Sequence, residues 1–129
     1  MFIKENVNPK KKITSDCVIR AIARAEAKHW LEVFDLLTEL ARKEFTVLND
    51  KKLYGKYLDG EYERLEVKYT DSYGNKKRYT VEDVCNTSKL LKGTYLVSIA
   101  GHLTCVIDGS LYDIWDCSSK SAYKIWRVR

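Results

Sequence analysis

Cysteine and histidine are the residue types in this 129-residue chain that could carry nucleophilic chemistry, and the chain has four of the first and two of the second. Cys17 follows a run of residues that favour the helix N-cap (Thr-Ser-Asp, 14–16), and a sequence of helical character comes after it. A cysteine in the first turn of a helix faces free backbone N–H groups and the positive end of the helix dipole. Both favour the thiolate, which is the nucleophile, so Cys17 is the candidate nucleophile.

A cysteine nucleophile needs a base, and histidine is the side chain whose ordinary pKa suits neutral pH. His29 stands at the far end of the helix that Cys17 begins, ~18 Å away at 1.5 Å per residue. His102 instead opens a predicted strand directly after Gly101, where its ring is accessible. His102 is therefore the candidate base.

A third group is needed to hold the imidazole in one tautomer, and the strand after the histidine hairpin supplies Asp113 and Asp116. A two-residue turn at 108–109 pairs His102 with residue 115 and makes Asp113 its diagonal neighbour on the same face. A three-residue loop at 108–110 pairs His102 directly with Asp116. One additional loop residue reverses the face of every side chain, so the sequence leaves both registers open.

Metal-binding patterns are missing from the cysteines, which form no Cys-x-x-Cys pair and match no zinc module. His102 and Cys105 are three residues apart on a predicted strand, so they point to opposite faces and cannot hold one ion. We expect no metal and no organic cofactor. Without an export signal we also expect reduced thiols, with Cys85, Cys105 and Cys117 as packing or surface residues.

Helices in the first half and strands in the second must position these residues. Apolar residues at helical spacing predict helices over about 16–28 and 30–44, and a short third helix follows over about 52–58. The second half begins with a predicted strand over 62–70, a turn over 71–78 and a short helix opened by a Thr80–Asp83 capping box. Three predicted strands follow, with the sequences TYLVSIA, HLTCVI and LYDIWD, and a last strand is predicted over about 122–128. This order predicts an α+β chain, residues 1–129 as one domain, with a helical part over about 14–60 and a sheet part over about 61–129.

Charge is concentrated at the two ends of the chain, whose formal net charge is +5. Residues 1–12 carry +3 and residues 117–129 carry +4. A solubilising surface explains this distribution better than nucleic-acid binding, because no groove-reading motif accompanies it. No apolar run approaches the ~20 residues of a membrane span, and no secretory signal opens the sequence. We therefore expect a cytoplasmic protein.

The order of these motifs resembles the papain-like cysteine peptidase superfamily. The segment SDCVIRAIA near the start and GHLTCVIDGSLYDIWD near the end carry the resemblance. More closely, NPKKKITSDCVIRAIARA and the second hairpin look like small phage-encoded and bacterial papain-like proteins of uncertain role. The resemblance implies helices packed on a C-terminal antiparallel sheet, a protein or peptide substrate, and the host cytoplasm if the chain is phage-encoded.

Carried onto this sequence, the resemblance implies Cys17 as nucleophile, His102 as general base and acid, and Asp116 as the orienting residue, because Asp116 lies at the strand end. The family's oxyanion glutamine precedes the nucleophile; here Asn8 is the nearest amide and takes that role, helped by the Cys17 backbone N–H. The Gly-Trp pair of the family is absent around Cys17.

Three hypotheses follow for the function. The first is a cysteine hydrolase, a peptidase or amidase that acts through an acyl-thioester. Amide hydrolysis is preferred to acyl transfer on prior expectation alone. The second is a catalytically silent papain-like phage protein that binds a host factor, which the missing oxyanion glutamine and the small size favour. The third and weakest is a nucleic-acid-binding module that uses the two basic ends.

Overall fold

The computed structural model describes residues 1–129 and is an α+β structure with four helices and a mostly antiparallel six-stranded sheet. The predicted fold class is confirmed at this level. The helices are α1 (Cys17–Glu26), α2 (Trp30–Glu44), α3 (Lys51–Glu61) and α4 (Val81–Asn86), with one 3₁₀ turn at Ser88–Leu90. The strands are β1 (Phe2–Lys4), β2 (Glu63–Leu65), β3 (Lys68–Thr70), β4 (Lys76–Arg78), β5 (Thr94–Ile99), β6 (His102–Ile107), β7 (Ser110–Asp113) and β8 (Lys124–Arg127).

The large sheet has the strand order β1-β7-β6-β5-β8-β2. Every neighbouring pair is antiparallel except β1, which runs parallel to β7 and pairs Phe2 with Leu111 and Lys4 with Asp113. The sequence gives no prediction of this strand, because three residues are too few to show an alternating pattern. The parallel pairing brings the N-terminal segment alongside the end of β7, and therefore alongside Asp113.

The helices lie close to their predicted positions. α1 and α2 are followed by the C-cap residues Ala27 and Phe45, each of which has a left-handed backbone whose N–H closes the last turn. α3 continues past the predicted end to Glu61, since Gly60 sits inside the last turn rather than after it. The Thr80–Asp83 capping box that opens α4 is present with both of its hydrogen bonds.

The predicted strand over 62–70 is wrong as one element, because it divides between two sheets. β2 pairs with β8 in the large sheet, whereas β3 pairs with β4 in a separate two-stranded hairpin. The hairpin turns at Gly74, which has a positive φ of 83°. β4 lies within the segment that was predicted to be only a turn.

Two hydrophobic clusters account for the buried core. The first contains residues of α1, α2 and α3 together with Leu96, Leu103, Cys105 and Trp126 of the sheet. The second contains residues of α4 and other sheet positions, including Tyr95, Val97 and Ile99. Leu96 and its neighbours in β5 thus belong to different clusters, as expected for a strand whose successive side chains point to opposite faces. No helix is long and apolar enough to span a membrane.

The β6–β7 hairpin decides the register around His102. Cys105 pairs with Tyr112 and Ile107 with Ser110, so only Asp108 and Gly109 form the turn. Both turn residues have positive φ, 48° and 81°, which is the backbone of a type I′ turn. Of the two registers that the sequence left open, the structure has the one with the two-residue turn.

Candidate active site

Cys17 is the first residue of α1, directly after the N-cap residue Asp16. Aspartate is among the preferred N-cap residues, yet the Asp16 side chain makes no capping hydrogen bond. Its carboxylate turns instead toward Arg20, Asn8 and Trp30. The first-turn N–H groups of α1 are therefore left without a side-chain acceptor beside the Cys17 thiol.

The structure brings Cys17 and His102 together, although they are 85 positions apart in the sequence. Burial alone would raise the pKa of the Cys17 thiol. Hydrogen bonds from His102 and from the Leu103 backbone N–H, with the positive charges of His102 and Arg20, outweigh that effect and hold the pKa below its usual value. Cys17 is only partly buried, whereas the other three cysteines are buried.

His102 lies between Cys17 and a carboxylate. Its Nε2 atom is 2.6 Å from Asp113 Oδ2, which leaves Nδ1 as the ring nitrogen for the thiol. Burial on its own would lower the pKa of His102, but the hydrogen bonds and charges of Asp113 and Cys17 raise it to about 9. The imidazolium form is thus favoured at neutral pH, and its positive charge favours the thiolate of Cys17 over the thiol. The ring of Trp115 covers His102 at a centroid distance of 5.3 Å.

Asp113, not Asp116, holds His102, so the prediction that Asp116 is the orienting residue is wrong about this contact. Asp113 is the last residue of β7 and is 4% exposed. Asp116 lies beyond the strand, is exposed, and accepts a hydrogen bond from the Ser118 backbone N–H. The physical reason is the type I′ turn, whose register places Asp113 diagonally across from His102 on the same face.

The Asp113 carboxylate is bound on both oxygens. Besides His102, Oδ2 accepts a hydrogen bond from the Thr104 hydroxyl at 2.6 Å, and Oδ1 accepts the Ile114 N–H at 2.7 Å. Arg20 Nη1 lies 3.3 Å from Oδ1. Burial alone would raise the pKa of Asp113, but the hydrogen bonds from His102 and Thr104 and the charge of His102 lower it. Asp113 is therefore an ionised, fixed acceptor for the imidazole.

Asn8, predicted as the oxyanion donor, is buried and makes its hydrogen bonds elsewhere. Its Nδ2 donates to Asp16 Oδ2 at 3.0 Å, and its Oδ1 accepts the Lys10 N–H at 3.0 Å. The amide thus ties the N-terminal segment to the residue before Cys17. Its role in an oxyanion hole stays a prediction, and the hydrogen bond to Asp16 disfavours it.

The remaining thiols differ from Cys17. All three are buried, and burial raises the pKa of Cys85 and raises the pKa of both Cys105 and Cys117 to about 12. The sulfur of Cys117 lies 3.8 Å from Asp113 Oδ2, the oxygen that also contacts His102. The ligand atoms of His102, Asp113 and Cys117 lie within 4.8 Å of one another. We interpret this group as hydrogen-bonded, because a contact of 2.6 Å joins the imidazole to the carboxylate.

A groove of about 420 Å³ runs beside this site, between the N-terminal segment and the residues after β7. Its apolar wall includes Trp115, which also covers His102. Its rim is mostly basic, since Glu5 is paired with Arg24 at 3.0 Å. The lining residues are Lys4, Glu5, Asn6, Lys11, Ile13, Ile114 and Trp115.

Several residues of the site were not found from the sequence. Arg20 is four positions after Asp16, a spacing at which oppositely charged side chains meet on a helix, and this spacing could have indicated their ion pair. No local pattern indicates that Arg20 also reaches Asp113, or that Thr104 and Trp30 donate to the two carboxylates.

Comparisons of the chain with family models, with curated proteins and with solved structures find no match.

Proposed function

We propose that this chain is a papain-like cysteine hydrolase that cleaves an amide bond in a protein or peptide substrate. The observation that carries the proposal is the juxtaposition of three residues, in which His102 adjoins Cys17 and its Nε2 lies 2.6 Å from Asp113 Oδ2. The cysteine begins a helix, the histidine begins a strand and the aspartate ends the next strand, which is the order of the family that the sequence resembles. Helices packed on an antiparallel sheet, as in that family, are part of the same proposal.

The first half of the reaction forms a thioester. The Cys17 thiolate attacks the carbonyl carbon of the substrate, a C–S bond forms, and the carbonyl electron pair moves onto oxygen. When the tetrahedral intermediate collapses, the C–N bond breaks and the His102 imidazolium gives its proton to the departing nitrogen. The amine leaves, and the acyl group remains on Cys17.

The second half returns the site to its starting state. A water molecule attacks the thioester while neutral His102 accepts its proton, and the C–S bond then breaks to release a carboxylic acid. Asp113 keeps its charge throughout and holds the imidazole through Nε2. The products are one acid and one amine, and no oxidant, metal or cofactor takes part.

The oxyanion needs donors near Cys17, and the N-terminus of α1 supplies them. The carboxylate of Asp16 is held by three other residues and does not cap the helix. The first-turn backbone N–H groups, including that of Cys17, are thus free to donate to a developing negative charge.

The groove next to Trp115 supports a substrate with acidic or polar residues beside the cleaved bond. Lys4 and Lys11 line its rim, and Ile13 and Ile114 offer apolar contact within it. Basic side chains around a concave site attract oppositely charged substrate.

Alkylation by iodoacetamide across a range of pH, followed peptide by peptide with mass spectrometry, tests the proposal. We expect Cys17 to react well below pH 8 and expect His102→Ala to slow this reaction. Cys117 serves as an internal control, because its buried thiol should remain unreactive. Incubation with 4-nitrophenyl acetate should in addition give an acetyl group on Cys17 that is lost in water.

Two results would contradict the proposal. If Cys17 behaved as an ordinary thiol and His102→Ala had no effect, the site would lack an activated nucleophile. If Cys17 reacted readily with iodoacetamide but never formed a hydrolysable acyl adduct, the silent binding protein would be the better description.

A further inference from the structure

A buried arginine lies between two buried aspartates under the candidate active site. Arg20 Nε is 2.7 Å from Asp16 Oδ1, and its Nη1 is 3.3 Å from Asp113 Oδ1. The side chains of these residues are 8%, 4% and 2% exposed. Burying a salt bridge gains little stability compared with an apolar substitute, because desolvation offsets the attraction. The cluster therefore needs an explanation other than stability.

The position of the cluster offers an explanation, because each aspartate lies next to one of the two reactive residues, Cys17 and His102. Asp16 directly precedes Cys17, and Asp113 binds His102 through Oδ2 while Arg20 contacts Oδ1. The two oxygens of Asp113 are thus assigned to different partners. A carboxylate held this way presents one oxygen to the imidazole in a fixed orientation.

Asp16 is fixed as firmly as Asp113. Its Oδ1 accepts from Arg20, and its Oδ2 accepts from Asn8 Nδ2 and Trp30 Nε1, both at 3.0 Å. These donors come from the N-terminal segment and from α2. The bonds keep the carboxylate away from the N-terminus of α1, where it would otherwise occupy the free N–H groups beside Cys17.

We propose that Arg20 and Asp16 are positioning residues of this active site: Arg20 orients Asp113 and supplies positive charge near Cys17, and Asp16 fixes Arg20 and balances that charge. The inference rests on the proposed function, whose chemistry needs an oriented imidazole and a thiolate. Neither residue touches the reacting atoms, so each acts through its neighbours.

The charge effect has a direction that a purely structural role would not produce. Removing the positive charge of Arg20 should raise the pH at which Cys17 ionises, and removing the negative charge of Asp16 should lower it. The other titratable or charged groups that face Cys17 are His102 of β6 and Tyr54 of α3, while Asp113 and Cys117 lie behind His102. These stay unchanged in the variants.

The experiment measures the pH midpoint of Cys17 alkylation by iodoacetamide in Arg20→Met, Asp16→Asn and Arg20→Lys. We expect Arg20→Met to move the midpoint up and Asp16→Asn to move it down, each by about 0.5–1 pH unit. Arg20→Lys keeps the charge but loses the fork that reaches both aspartates, so the midpoint should stay near wild type while acylation by 4-nitrophenyl acetate slows about tenfold. Arg64→Met, which removes an exposed arginine paired with Asp59, is the matched control and should change neither value.

Circular dichroism establishes whether each variant is folded, and if Arg20→Met does not fold, Asp16→Asn and Arg20→Lys decide the matter. Midpoints that stay at the wild-type value, or that move in the same direction in both charge variants, would overturn the inference. A wild-type midpoint equal to that of an ordinary thiol would instead overturn the proposed function itself. The two failures are therefore distinguishable.

Discussion

Two thiols stand beside the same histidine–aspartate pair. Cys17 contacts His102, whereas the sulfur of Cys117 lies 3.8 Å from Asp113 Oδ2. Next to the imidazole the thiol pKa is lowered, and next to the carboxylate burial and the negative charge of Asp113 raise it to about 12. One polar pair thus lowers the pKa of one cysteine and helps to keep the other protonated, because the imidazolium and the carboxylate carry opposite charge.

Exposure strengthens the contrast between the two thiols. Cys17 is partly buried at the start of a helix. Cys117 is 0% exposed and belongs to the second hydrophobic cluster. Proximity to a histidine–aspartate pair is therefore insufficient for reactivity. It matters whether the thiol contacts the histidine or the aspartate, and whether the cysteine is fully buried.

The largest effect should follow from neutralising the carboxylate that both thiols share. Asp113→Asn keeps the shape of the side chain but removes the charge that favours imidazolium, and we expect acylation of Cys17 to slow by on the order of 10²–10⁴. Stopped-flow measurement with 4-nitrophenyl acetate checks this. Asp116→Asn is the matched control, and a comparable loss there would restore Asp116 as the orienting residue.

The same carboxylate also matters for stability, because Arg20 would lose a partner without it. We expect Asp113→Ala to lower the free energy of unfolding by about 3–5 kcal/mol, the usual cost of leaving a buried charge uncompensated. Urea unfolding followed by tryptophan fluorescence measures this value. A cost near zero would indicate that Arg20 is paired well enough by Asp16 alone.

The coupling of Cys17 to His102 predicts a distinctive dependence of stability on pH. A histidine whose folded pKa is raised from 6.5 to about 9 stabilises the fold below pH 6.5 and loses that effect as the pH rises to about 9. The lowered pKa of Cys17 acts in the opposite direction over the same range, so the two partly cancel in the wild type.

Removing the thiol should expose the contribution of the histidine. In Cys17→Ser we expect the free energy of unfolding to fall by about 1–2 kcal/mol as the pH rises from about 6.5 toward 9. Denaturation curves across this range measure the change, and Cys17→Ser combined with His102→Gln should abolish it. Identical pH profiles in the single variant and the wild type would mean that the thiol and imidazole are not coupled.

A smaller effect should follow from uncovering the imidazole. The rings of Trp115 and His102 pack in a tilted arrangement, with their centroids 5.3 Å apart. We expect Trp115→Ala to slow the acylation of Cys17 by up to about tenfold, in line with the 0.5–1.5 kcal/mol of an aromatic pair. Trp115→Phe retains a ring at this position and should recover most of the rate. Equal losses in the two variants would point to the indole nitrogen instead.

The smallest effect should come from Cys117 itself. Cys117→Ala removes a buried sulfur, and we expect it to cost about 1 kcal/mol of stability while acylation of Cys17 stays within about threefold of wild type. Thermal unfolding and the ester assay measure both quantities. A loss of acylation as large as that from Asp113→Asn would mean that the second thiol takes part in the chemistry.

Local patterns in the sequence were sufficient for much of this molecule. The helices, the capping box at Thr80 and Asp83, and the hairpin after His102 each depend on neighbours within a few positions, and all of them are present. The place of Cys17 at the start of a helix belongs to the same group. Local conformational preferences and hydrophobic periodicity depend on residues that are close together in the chain, so they can be predicted from the sequence.

The tertiary structure decided the rest, because it depends on contacts between distant segments. A three-residue β1 pairs with β7 only once both are folded, and the strand predicted over 62–70 is divided according to which partners are within reach. The turn backbone at 108–109 fixed the choice of Asp113 over Asp116 locally, whereas the contact between Arg20 and Asp113 joins residues 93 positions apart. Contacts between distant segments depend on how whole helices and strands pack together, which a short stretch of sequence does not determine.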